Sequence, residues 1–311
     1  MTARPSRRIQ LLVALLRRTA KPALRRIAGP AEARRTFERA ARWGFRRPPH
    51  TLHRVEPGMP SLHWISCGPC RSQGALLYFH GGGYVAGSPA THAGLVGRLS
   101  RLTGLRAAVP DYRLAPEHPA PAAFEDACAA HAALLARGFR PQDIVLAGDS
   151  AGGGLALALL AELSARGQPP RAVLAFSPWT DLALGSASLA ENARADPLLP
   201  VARVEELVGR VAGELSRADP RLSPLHARFE RPPPTLIQVG STEILRDDAV
   251  RMAVRLRRAG GQVRLEIWPD APHAWPLFDG WVPEAREALE AASGFLAETA
   301  LPERARQAPG P

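Results

Sequence analysis

The chain is predicted to be an α/β protein: a mostly parallel central sheet with helices on both faces and a helical cap. Three observations predict this. Beyond residue 60, seven strand-like apolar runs alternate with five helical segments. One of those runs, "DIVLAGD", passes directly into a helix through Gly148-Asp149-Ser150-Ala151-Gly152. The stretch around 185–215 breaks the rhythm, with helical periodicity but no strand. Continuous apolar strands alternating with amphipathic helices indicate a parallel sheet covered on both sides. Sheets of this kind place their sites at the carboxyl ends of the strands.

The chain has 311 residues, enough for one large domain with some elaboration, and shows no repeat at solenoid periods. Its net charge of +11 is unevenly placed. Residues 1–50 hold fourteen basic groups (thirteen Arg and Lys21) against Glu32 and Glu38, leaving 26 basic and 27 acidic groups elsewhere. A near-neutral main domain argues against a nucleic-acid groove across it. In "SRRIQLLVALLRRTAKPALRRIAG" apolar residues alternate with Arg pairs at helical spacing. The favoured reading is an amphipathic helix packed on the main domain, with residues 1–45 joining the 185–215 insertion in a cap. Contact of residues 1–26 with an anionic membrane is a second reading, since Arg beside Leu suits that interface. A secretory signal fits poorly, because the apolar run is short and ends in Arg17 and Arg18. No run approaches the ~20 apolar residues of a transmembrane helix.

The first strands expected are "LHWIS" and "ALLYFH", flanking "CGPC". The four residues match a dithiol redox loop, but no helix follows them. They read instead as a hairpin turn with Gly68-Pro69 at its tip. Cys128, in the Ala-rich "AFEDACAAHAALLARG", reads as a buried helix residue. Three cysteines do not suggest a disulfide framework, which favours the cytoplasm.

"ALLYFH" ends in His80-Gly81-Gly82-Gly83, followed by Tyr84. Successive glycines let backbone N–H groups converge on one point, as stabilisation of an oxyanion requires. The helix "AGLVGRLSRLTG", the strand "LRAAVPDY" and the helix "FEDACAAHAALLARG" come next, then the strand–turn–helix at Ser150. That turn is G-x-S-x-G in the context that gives the motif meaning: a serine on a strained elbow, exposed above the sheet at a helix start. A serine hydroxyl needs an adjacent base. His273 stands out among nine histidines, in a loop between the last strand, "VRLEIWP", and the final helix. His92 and His118 also follow strands and are not excluded by position, whereas His80 reads as structural. The base needs a carboxylate to orient it, expected after the preceding strand, "PTLIQVG". That strand leads into "STEILRDDAV", with Glu243, Asp247 and Asp248.

The set "HGGGY", "PDYRLAPEHPAPAAFED", "GDSAGG", "DPRLSPL" and "PHAW" resembles the hormone-sensitive-lipase family of α/β-hydrolases, in particular its bacterial carboxylesterases (family IV). The resemblance runs from about residue 60 to the end. It implies an α/β-hydrolase fold over residues 46–311 and a serine esterase acting on short- to medium-chain acyl esters without cofactor or metal. Ser150 is then the nucleophile and His273 the general base. Gly82, Gly83 and the N–H of Ala151 form the oxyanion hole. Many members carry Asp-Pro-Leu at the acid position; here the corresponding residues are Glu243-Ile244-Leu245, which puts Glu243 in the acid's place. Asp247 is the runner-up, with helix capping as its structural role. Tyr84, Trp179 and Trp275 are candidates to line the pocket, though each also suits the core. The partner expected is a small-molecule ester and the assembly a monomer or homodimer. A membrane-associated lipase and a ligand-binding member without catalysis are the alternatives. "PERARQAPGP" reads as a disordered tail.

Overall fold

The computed structural model describes residues 4–70 and 73–299; the expected tail lies outside them. Its frame is an eight-stranded sheet: β1 (Thr51–Glu56), β2 (Leu62–Cys67), β3 (Ala75–Phe79), β4 (Arg106–Pro110), β5 (Ile144–Asp149), β6 (Ala172–Phe176), β7 (Thr235–Gly240) and β8 (Val263–Trp268). The order is β1-β2-β4-β3-β5-β6-β7-β8, with β1–β2 and β2–β4 antiparallel and every other neighbour parallel.

Alternate residues of the central strands feed two cores, as the twofold strand repeat requires. Leu77, Phe79, Leu146 and Ile237 pack against α5 (Ala122–Ala136), α6 (Ser150–Ala165) and α9 (Arg246–Arg258). Leu76, Tyr78, Val145 and Leu174 face α4 (Pro89–Thr103) and α10 (Pro283–Glu298). α6 is apolar around its whole circumference because it is buried behind the sheet centre.

Two expectations need correction. The sequence pattern does not mark β1: it is an edge strand whose Leu52 and Val55 are exposed, so it lacks a half-buried alternation. The hairpin across "CGPC" does not form, because β2 pairs with β1 and β4, not with β3. The Gly68-Pro69 segment instead joins two non-adjacent strands. Cys67 ends β2, buried, with its thiol on the Pro49 carbonyl, while Cys70 is exposed.

The N-terminal segment forms α1 (Arg7–Arg18), α2 (Ala20–Arg26) and α3 (Pro30–Gly44), and the insertion forms α7 (Ser188–Glu191) and α8 (Val204–Ala212). Ile9 packs with Trp275, Val282 and Ala285. Lys21, the chain's single lysine, is buried between the segments and donates to the carbonyls of Ala193 (2.9 Å) and Asp196 (2.5 Å). Arg34 of α3 reaches the carbonyls of Val85 and Ala115 and makes a two-pronged ion pair with Glu117.

The start of α6 lies so close to the end of β3 that a Cβ on Gly152 would stand 2.1 Å from the Phe79 carbonyl oxygen. Gly152→Ala is therefore expected to cost about 3 kcal/mol, the upper end for overpacking a core, because backbone and not a side-chain end must move. Urea denaturation of the two proteins measures this.

Candidate active site

Several of the residues singled out in the sequence meet at the carboxyl ends of the strands, beneath a cavity of about 1170 Å³. Gly82, Gly83, Ser150, Trp179 and His273 line its floor, and α1, α2, α3 and the segment from Leu198 to Arg210 form its walls and roof. The lining is overwhelmingly apolar, as small-molecule sites are.

Ser150 is the first residue of α6 and has φ +53°, a left-handed conformation that a non-glycine residue adopts only under constraint. The neighbouring Asp149 supplies part of that constraint. Its buried carboxylate accepts from the Tyr78 hydroxyl (2.7 Å) and from the Gly81 N–H (3.0 Å), and lies against His92 Nε2. Burial alone would raise this carboxyl's pKa. The charge and hydrogen bond of His92, the Tyr78 hydroxyl and the charge of His273 outweigh it and hold the group below its ordinary value. His92, one of the histidines not excluded by position, is thus a buried partner of Asp149. The Gly81 N–H on Asp149 ties the serine turn to the glycine loop, and His92 ties it to α4. The only trace of these ties in the sequence is the Asp of "GDSAG".

With the Gly81 N–H used by Asp149, the next two amides of the loop have no acceptor among the described residues. Gly82 has φ +126°, which glycine alone tolerates readily. Its carbonyl takes the N–H groups of Val85 and Ala86, which folds the loop under the cavity. His80 stacks on Tyr112 with ring centroids 4.2 Å apart, and burial lowers its pKa to about 3. It is a neutral brace for the loop.

His273 follows β8 and is almost fully buried, with Nδ1 2.7 Å from Glu243 Oε2. The other oxygen of Glu243 accepts from the Ser177 hydroxyl (2.7 Å) and the Gly240 N–H (2.6 Å). Ser177 also accepts from the N–H of Ala274, beside the histidine. The loop after Glu243 is pinned by Asp196, whose Oδ2 accepts from the Ile244 N–H (3.0 Å) and whose carbonyl holds Lys21. Burial pulls the His273 pKa down. The hydrogen bond and charge of Glu243, with the charges of Asp196 and Asp149, outweigh it and leave the imidazole above its ordinary 6.5.

The other carboxylates of this loop face elsewhere. Asp247 lies in the first turn of α9, pairs with Arg246 and accepts from the N–H of Ser188, at the start of α7. Its expected role as cap of its own helix is replaced by this contact with the insertion. Asp248 is buried on the N–H groups of Thr180 and Asp181 and on the Ser186 hydroxyl, and burial raises its pKa to about 6.

Of the three aromatics expected at the pocket, only Trp179 lines it. Trp275 is fully buried beside Ile9, its indole N–H on the Glu284 carbonyl. Tyr84 lies behind the glycine loop and borders a separate small void with His118. Ala151 is buried at the second position of α6, next to the serine.

A family model described as an alpha/beta hydrolase fold matches residues 76–277. An esterase of the bacterial hormone-sensitive lipase family superposes with a TM-score of 0.89 at 35% identity, covering 96% of this chain and 99% of that one. The chain belongs to this family. It is similar to an acetyl-hydrolase of Streptomyces hygroscopicus, at 41% identity over 78% of this chain and 81% of the relative. The carboxylesterase/phospholipase LipF of Mycobacterium tuberculosis is 37% identical over 71% of this chain and 61% of its own length. This family member is a carboxylic ester hydrolase with small-molecule ester substrates.

Proposed function

We propose that this esterase hydrolyses short- to medium-chain acyl esters through a Ser150–His273–Glu243 triad and an acyl-enzyme. One observation carries the reading: His273, hydrogen-bonded through Nδ1 to a buried Glu243, lines the same cavity floor as Ser150, Gly82 and Gly83. With Nδ1 engaged, Nε2 is the nitrogen left to act as base. It takes the Ser150 proton as the oxygen attacks the ester carbonyl, while Glu243 stabilises the imidazolium that forms. The N–H groups of Gly82, Gly83 and Ala151 receive the oxyanion, each donor being worth about 3 kcal/mol in such sites. His273 returns its proton to the leaving alcohol, and water then attacks the acyl-enzyme by the same route.

Residues 1–45 and about 185–215 act as a cap that shapes the acyl pocket, with Trp179 at its floor. The short-chain preference is supported by two names: the Streptomyces relative is an acetyl-hydrolase, and a similar esterase structure was soaked with p-nitrophenyl butyrate. We infer a cytoplasmic enzyme from its three unpaired cysteines, with a monomer or homodimer as its assembly.

The test is hydrolysis of p-nitrophenyl esters of increasing acyl length, with Ser150→Ala as control. The expected profile peaks at short to medium chains and is abolished in the control. Equal, slow turnover of every ester by both proteins would overturn the assignment.

A pH profile gives an independent check. The general base must be neutral, so kcat/KM falls as pH drops through the His273 pKa. Because that pKa is raised, the acidic limb is expected at a midpoint above 6.5. In Glu243→Gln the hydrogen bond to a carboxylate and its charge are lost while burial remains, so the limb of the residual activity moves to lower pH.

A further inference from the structure

Helix α1 carries two apolar stripes where a surface helix needs one. Ile9 and Leu16 point inward and are buried. At 100° per residue, Arg7, Arg8, Leu11, Leu15 and Arg18 fall within about 100° of one another on the opposite side. Leu11 is 71% exposed and Leu15 57%, and the three arginines are exposed. This outer face lies at the mouth of the cavity, since Arg8, Leu11 and Leu15 belong to its lining. Across the mouth Trp281, 44% exposed, stacks under the Arg46 guanidinium at 3.8 Å, and both also line the cavity. The entrance therefore carries three exposed apolar side chains, Leu11, Leu15 and Trp281, together with Arg8 and Arg46. Apart from Trp281, these residues belong to a segment of net charge +12 on a protein whose remainder is −1.

We propose that this face docks on an anionic lipid surface, with the cavity mouth turned toward the headgroups. Charge decides the occupant. Alternating Leu and Arg on one helix face matches a negatively charged interface, with the leucines in the acyl boundary and the guanidinium groups on phosphates. A second copy of the chain would bring the same arginines face to face. An aqueous ester needs neither the exposed leucines nor the charge. α1 is too short to span a bilayer and lies along its surface, anchored beneath through Ile9 and Leu16.

The test is flotation with vesicles of phosphatidylcholine alone and with about one-third phosphatidylglycerol. Ser150→Ala protein is used so that hydrolysis does not alter the lipid. Binding is then read apart from the triad assignment, and either reading can fail without the other. The protein is expected to float with the anionic vesicles, not with the neutral ones, and to be released by high salt. Each arginine near an anionic surface contributes about a fivefold effect, so Arg7→Gln/Arg18→Gln is expected to weaken partitioning on the order of 30-fold. Leu11→Ser/Leu15→Ser is expected to weaken it as well, with salt sensitivity retained. Failure to float with anionic vesicles at low salt, equal binding to both vesicle types, or undiminished binding by both double variants overturns the proposal. The salt titration of the protein with α1 intact keeps the test decisive should a variant misfold.

Discussion

Ser150→Ala is expected to lower kcat on chromogenic esters by roughly 10⁶-fold, down to the rate that binding and the oxyanion donors sustain alone. The size follows from what the residue is asked to do. Removing the nucleophile removes the covalent route, and no neighbouring group replaces it. The buried Asp149 is fixed by Tyr78, Gly81 and His92. His273 without the serine has only water to activate. The fold is expected to tolerate the change, because the hydroxyl has no hydrogen-bond partner among the described residues and alanine accepts the same backbone conformation no worse than serine does. Pre-steady-state kinetics with the p-nitrophenyl ester in excess make the test sharper. The unmodified enzyme should release a burst of nitrophenol if deacylation is the slower step, and the variant none.

Glu243→Gln is the second large effect, a loss in kcat of about 10⁴-fold. Gln is close to Glu in shape, so the loop can stay in place while the negative charge on His273 Nδ1 disappears. The amide can present its N–H₂ to that nitrogen and so favour the wrong tautomer. Asp247→Asn, by contrast, should leave kcat within a few-fold of the parent. It removes an ion pair with Arg246 and weakens the contact with Ser188, both away from the histidine. The stability cost of losing this half-buried pair is on the order of 1 kcal/mol. A deep loss in Asp247→Asn together with an active Glu243→Gln would falsify the choice of acid.

Much of this was legible in the chain because the decisive signals are local. The serine elbow, the three glycines and the two loops after β7 and β8 are each contained within a dozen residues. Strand and helix alternation fixes which end of the sheet they share. What could not be read depends on partners far apart in sequence. The hold of Asp196 on Ile244 spans 48 residues, and that of Ser177 on Glu243 spans 66. The misplaced hairpin has the same origin: β2 and β3 are consecutive in the chain, but β4 lies between them in the sheet. Tyr84 and Trp275 were ambiguous because an aromatic near a motif suits a pocket and a core equally. Only the packing of Ile9 against Trp275 decides the latter. Glu243 was separable from Asp247 by position in the motif. One Glu243 carboxylate oxygen is held by Ser177 and Gly240 while the other meets His273.

The single lysine under the roof has a chemical corollary. Activated esters acylate accessible amines, so an enzyme that turns over such compounds is exposed to slow self-modification by its own substrates. Here every lysine or arginine side chain but one is a guanidinium, protonated and unreactive toward acyl donors at working pH. The one ε-amine, Lys21, is shielded by burial and committed to two carbonyls. The described surface therefore offers no lysine nucleophile. Succinimide labels and aldehyde supports would find no side-chain amine to attach to, and the exposed thiol of Cys70 is the natural handle for coupling the enzyme instead.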